Sequence, residues 1–162
     1  SIVLGAESVA EVLKSKLIAA GFAPLLEADR GLARIAAGTP QVPEEIGSTD
    51  LPGEGELTRD AISFTKGCYL GQEIVARMYN VGKPQRGLFV LKGAGPAPET
   101  PSALYNSASK QVGELRTAYP QSNSWSGVAI LKTRFASVGE TLRIRDDEAT
   151  VIKPLREGLA GD

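Results

Sequence analysis

From Arg86 onward the sequence is a series of short runs of β-type residues with no helical pattern between them, and this restricts what the back of the chain can fold into. The runs are Arg86–Leu91, Gln111–Thr117, Val128–Lys132, Thr141–Arg145 and Thr150–Ile152, separated by Gly and Pro punctuation. The pattern predicts a small antiparallel barrel or sandwich. The proline-rich stretch Gly93–Pro101 predicts a loose connection, and no internal repeat is present.

The front of the chain has a different character. Ile2–Leu4 predicts a short strand directly behind Ser1, with no room before it, as in a piece of something longer. Ser8–Ala20 predicts a helix: Val9, Leu13, Leu17 and Ala20 fall on one stripe, Ser8 and Glu11 can form a capping box, and Gly21 suits the position after the last turn. Leu32–Ala36 predicts a second strand. Gly38–Gly55, rich in Pro, Gly, Glu and Ser, predicts a long surface loop. Ile62–Thr65 is short and extended, and a helix is predicted from about Tyr69 to Tyr79, with Glu73 and Arg77 as an i,i+4 pair.

Composition matters mainly for what it removes. With 42% hydrophobic and 23% charged residues the chain can build a core. It has no histidine, which excludes Ser-His-Asp and Cys-His catalysis and most transition-metal sites. A single cysteine cannot form an internal disulfide, and no zinc-ligand cluster is present, so no permanent metal is expected. The net charge of −1 argues against direct nucleic-acid binding as the main role. Glu7, Glu11, Lys14 and Lys16 make the first twenty residues too charged for a signal core or a membrane span, and a free cysteine without an export signal favours the cytoplasm.

The lone cysteine lies in Lys66-Gly67-Cys68-Tyr69-Leu70-Gly71-Gln72-Glu73. A thiol at a helix start meets the positive end of the helix dipole, and Lys66 adds a nearby positive charge; both favour the thiolate. Gly67 and Gly71 would let the backbone pass close to a ligand, and Gln72 can both donate and accept. On the residues alone a second reading stands beside this one: Cys68 as a small buried hydrophobe, Lys66 as a solvated charge, Glu73–Arg77 as a surface ion pair. Trp125, among Ser122, Asn123, Ser124, Ser126 and Gly127, reads either as a ligand platform or as a loop aromatic folded onto the barrel end. Arg143 and Arg145, alternating with Leu142 and Ile144, read as a solvated strand face.

Ile62-Ser63-Phe64-Thr65-Lys66-Gly67-Cys68-Tyr69-Leu70-Gly71-Gln72-Glu73 closely resembles the signature of the YgfZ-type folate-binding proteins, relatives of the glycine-cleavage T-protein (aminomethyltransferase). Arg34-Ile35-Ala36-Ala37-Gly38-Thr39-Pro40 resembles that family's Arg-Ile-Glu-x-Gly-x-Pro element, and Val112-Gly113-Glu114-Leu115 with Val128-Ala129-Ile130 resembles its C-terminal barrel. The resemblance implies an α+β chain: the remnant of a split α/β (ferredoxin-like) middle domain over residues 1–84, then a C-terminal antiparallel β-barrel over 85–162. It implies an accessory factor for assembly or repair of iron–sulfur clusters in client enzymes, including tRNA-modifying ones. Cys68 and Lys66 would carry the activity, supported by Gly67, Tyr69, Gly71, Gln72, Glu73 and Arg77. It also implies tetrahydrofolate in the full-length protein, with Arg34 and Gln72 as candidate contacts. Ala36 stands where the family usually has a glutamate associated with the pterin ring, so affinity for folate is expected to be weak. The T-protein form of the loop has Asp and a basic residue where Cys68 and Gln72 stand here, which favours the thiol-dependent branch. Aminomethyl transfer and a non-catalytic interaction module remain the alternatives.

Overall fold

The computed structural model describes residues 7–57, 62–63, 67 and 84–156. Six strands form a closed antiparallel barrel: β1 (Arg86–Ala94), β2 (Ser102–Tyr105), β3 (Gln111–Gln121), β4 (Ser124–Lys132), β5 (Thr141–Ile144) and β6 (Asp147–Pro154). Their order around the wall is β1-β4-β3-β2-β5-β6, with β6 pairing back onto β1. Each run predicted from sequence lies on a strand. β2 carries no sequence signal of its own, because its four residues follow directly on the proline-rich connection.

β1 and β4 hold the barrel together because they are buried on both faces. Phe89 and Leu91 of β1, with Trp125, Ala129 and Leu131 of β4, point into the barrel and pack with Leu104, Leu115, Leu142 and Val151. The alternate residues, Leu88, Val90, Val128 and Ile130, point outward into a second core with Ile35, Ile46, Tyr119 and Leu155. A strand with apolar residues on both faces loses the period-two alternation, which is why these two runs look continuously apolar in sequence. On β3, Leu115 belongs to the inner core and Thr117 faces the buried Glu45 outside. Residues two apart share a face in a regular strand, and the register shift between Leu115 and Thr117 is what separates them.

Trp125 is neither a ligand platform nor a loop residue. It lies within β4, is 1% exposed, and is paired in register with Gly93 of β1. A Cβ on Gly93 would stand 2.5 Å from the indole, so that glycine is what lets the ring lie flat inside the wall.

Two helices precede the barrel. α1 (Glu7–Ala19) matches its predicted span within a residue, and Gly21 ends it with φ of +88° while the Phe22 N–H donates to the Leu17 carbonyl. Ser8 falls inside the helix, not at its cap. Of the apolar stripe of α1, Leu13 is half-buried while Val9, at 56%, and Leu17, at 42%, are exposed among the described residues.

Residues Glu27–Ala36, where a second strand was predicted over Leu32–Ala36, form a helix, α2. Its buried positions, Gly31 and Ile35, are one helical turn apart, and the glycine hides the apolar signal. Glu27 and Asp29 in the first turn and Arg34 in the last suit the helix dipole. Gly31 is required by packing: a Cβ there would come within 2.4 Å of the Tyr119 ring. That ring is held by its hydroxyl, which donates to Gln41 Oε1 at 3.0 Å, and by Arg34 at 5.9 Å from its centroid. Alanine gains about 1 kcal/mol of helix propensity over glycine, whereas forcing an extra carbon into a packed core costs about 1–3 kcal/mol. The clash is expected to win, so Gly31→Ala should lower stability by roughly 1–2 kcal/mol. Chemical denaturation checks this, and a variant more stable than the parent would contradict the packing argument.

The stretch predicted as a surface loop, Gly38–Gly55, is a strap laid against the outside of the barrel. It contains a short 3-10 turn, Pro52–Gly55, and it buries Glu45, Ile46, Asp50 and Glu54. The predicted strand at Ile2–Leu4 and helix at Tyr69–Tyr79 lie outside the described residues.

Candidate functional site

Among the residues that sequence singled out around the thiol, Gly67 alone is described. It is exposed, and a Cβ on it would meet nothing within 4 Å. Lys66, Cys68, Tyr69, Gly71, Gln72, Glu73 and Arg77 lie outside the described residues. Ile62 and Ser63, just upstream, are half-buried.

Two arginine–carboxylate clamps hold the strap, the first to α2 and to Thr117 of the barrel, the second to Arg86 of β1. In the first, Glu45 is fully buried, and its carboxylate accepts from Arg34 Nη1 at 2.8 Å and Nη2 at 2.5 Å. It also accepts from the Gln41 backbone N–H at 2.9 Å and from Thr117 Oγ1 at 2.6 Å. Arg34 Nη1 additionally donates to the Thr39 carbonyl at 2.6 Å. Burial works against the charge on Arg34; the hydrogen bonds and charge of Glu45, with Tyr119 adding, outweigh it and hold its pKa above the ordinary arginine value.

In the second clamp, Glu54 accepts from Arg86 Nε at 2.7 Å and Nη2 at 2.8 Å, and from the Leu51 backbone N–H at 2.9 Å. Asp50 accepts from the Gly47 N–H at 3.0 Å, and its other oxygen lies 3.4 Å from both Arg86 and Arg116. The hydrogen bonds that Arg86 donates to Glu54 raise the Arg86 pKa, burial offsets part of this, and the charges of Glu54 and Asp50 add to the rise. Buried carboxylates need this many donors, because an ionised group left unpaired in a low dielectric is costly.

These clamps are structural. Arg34, a candidate folate contact in the sequence, has both terminal nitrogens committed to Glu45 and Thr39, and only its buried Nε lacks a hydrogen-bond partner. Glu45, Asp50, Glu54, Arg86 and Arg116 were not singled out from sequence. Glu114 beside Arg116 apart, their side-chain partners are 11 to 72 residues away, so no local spacing marks them. Among the described residues no group of three or more His, Cys, Asp or Glu side chains could hold a metal ion, and no helix is long and apolar enough to cross a membrane.

Comparison with known proteins adds what the described geometry lacks. No protein-family model matches the chain. Over 160 residues it is 32% identical to the tRNA-modifying protein YgfZ of Escherichia coli O45:K1, an alignment covering 94% of this chain and 48% of that protein. It is 32% identical over 133 residues to the tRNA-modifying protein YgfZ of Serratia proteamaculans, covering 78% of this chain and 40% of that protein. It is 30% identical over 106 residues to the mitochondrial iron-sulfur cluster assembly factor IBA57 of Mus musculus, covering 63% of this chain and 28% of that protein. The chain thus spans about half the length, or less, of the curated relatives it matches. In structure it is similar to the glycine cleavage system aminomethyltransferase T from Bartonella henselae, with a TM-score of 0.71 over 93% of this chain and 44% of that one. At 17% identity this likeness is one of fold alone.

Proposed function

We propose that this chain, a relative of the YgfZ and IBA57 proteins by sequence and of the aminomethyltransferases by fold, serves in the assembly or repair of iron–sulfur clusters in client enzymes, tRNA-modifying ones among them, with Cys68 carrying the activity. The observation that carries this reading is a 32% identity to a YgfZ protein over 94% of the chain, taken with the Lys66–Glu73 run. The cluster is cargo here, not a resident cofactor. A soft thiolate suits iron and sulfur chemistry, and the thiolate rather than the thiol is the reactive form. With no histidine in the chain to take the proton, Lys66, two residues before the thiol in sequence, is the cation assigned to lower its pKa. The fold likeness to an aminomethyltransferase does not carry that activity with it.

Complementation tests the reading. The protein, expressed from its native reading frame in cells lacking YgfZ, is expected to restore the activity of an iron–sulfur enzyme and the tRNA modification that depends on it. Expression without any restoration would count against the proposal.

Tetrahydrofolate is the ligand the family resemblance implies, and the described residues fit it poorly. Arg34 offers no vacant terminal nitrogen, and Ala36 supplies no acceptor for the pterin amino groups. Gln72 is left as the candidate contact. Each buried donor left without a partner costs about 1–3 kcal/mol. Tetrahydrofolate is therefore expected to bind this chain weakly; titration calorimetry that returned sub-micromolar affinity would contradict this.

A further inference from the structure

The net charge of −1 conceals an uneven surface. At one end of the barrel, four cations converge on the β2–β3 turn. Lys132 Nζ donates to the Gln111 carbonyl at 3.3 Å, and Arg143 Nη2 donates to Ser109 Oγ at 3.3 Å. Lys110 and Arg134 lie over the ring of Phe135, 5.8 and 4.9 Å from its centroid, and Arg143 lies 5.7 Å from that of Tyr105. None of the four makes an ion pair among the described residues, although six other basic side chains do. Glu148, opposite Arg143 in the sheet, makes none with it either. The turn is fixed: the Asn106 N–H donates to the Lys110 carbonyl at 3.0 Å, and the Lys110 N–H donates to Asn106 Oδ1 at 2.9 Å. Lys110, Arg134 and Arg143 are exposed, and Tyr105 and Phe135 are half-exposed.

We propose that this turn end of the barrel binds an unpaired strand of nucleic acid, the cations taking phosphates and the Tyr105 and Phe135 rings, with the guanidinium planes above them, taking bases. Unpaired cations alone would suit any polyanion. Their interleaving with half-exposed aromatics favours a strand whose bases have faces to stack, which an acidic peptide lacks. The proposal is independent of the thiol and of the function proposed above.

The test is fluorescence anisotropy with a 15-nucleotide fluorescein-labelled RNA and the whole chain. Four phosphate contacts at about 0.7 counterions each predict a log–log salt slope of about −3, so binding should weaken ~50-fold between 50 and 200 mM salt. The triple variant Lys110→Ala/Arg134→Ala/Arg143→Ala, all at exposed sites, should weaken binding at 50 mM salt at least ~10-fold and flatten the slope by about 2. A control, Lys14→Ala/Arg30→Ala, removes two cations that are already ion-paired and should change little. Absence of salt-dependent binding at 50 mM would overturn it, as would a triple variant that binds like the control. Competition by polyphosphate or polyglutamate as strong as by RNA would overturn the nucleic-acid assignment.

Discussion

Arg34→Ala is expected to destabilise the protein by about 3–5 kcal/mol, a large share of the ~5–15 kcal/mol that holds a typical domain folded. The reason lies less in the arginine than in what its removal abandons. Glu45 is fully buried and takes two of its hydrogen bonds from Arg34. After truncation only the Gln41 N–H and the Thr117 hydroxyl remain to it, at a position with no exposure to solvent. The cation over Tyr119 is lost as well. Arg145→Ala breaks a pair of similar length, Arg145–Glu99 at 2.9 Å, but there the side chains are 57% and 84% exposed. Such a pair contributes about 0–1 kcal/mol. Urea unfolding followed by the fluorescence of Trp125, the sole tryptophan and fully buried, measures both variants. A loss below about 1 kcal/mol for Arg34→Ala would show that the strap does not depend on this clamp. The double variant Arg34→Met/Glu45→Leu should recover most of the loss, because no charge is then left buried.

The barrel was legible from its strand runs because closed antiparallel sheet is a local pattern repeated: a short β-type run, a Gly or Pro break, another run. The parts that were not legible depend on distant partners. Gly31 looks like a helix breaker until Tyr119, far along the chain, fills the space its missing Cβ leaves. The strap looks like a polar loop because Glu45, Asp50 and Glu54 are acidic; only their pairing with Arg34, Arg86 and Arg116 makes them interior residues. Trp125 sits among serines and glycines in sequence, yet its partner is Gly93 across the sheet. The candidate site divides differently. For the Cys68 segment, residue types supply an expectation that the described residues do not reach, while the resemblance the segment carries agrees with the relatives found by comparison. Whole-chain charge does not report distribution: a near-neutral total is compatible with four cations, none ion-paired among the described residues, gathered at one turn.

The role assigned to Cys68 makes the second large expectation. Serine is close to cysteine in size but has no thiolate near neutral pH, so Cys68→Ser removes the reactive sulfur while changing volume little. Lys66→Ala should act on the same property more mildly, raising the thiol pKa and slowing alkylation by iodoacetamide at neutral pH. A thiol that is merely packed would give another pattern: slow alkylation in the parent, no effect of Lys66→Ala, and a small stability change for Cys68→Ser. The most direct measurement is complementation by Cys68→Ser, expressed from the native reading frame in cells lacking YgfZ, with protein level and circular dichroism measured alongside. The expected result is iron–sulfur enzyme activity at the empty-vector level with the fold and abundance of the parent; full restoration of that activity by Cys68→Ser would contradict the role assigned to the thiol.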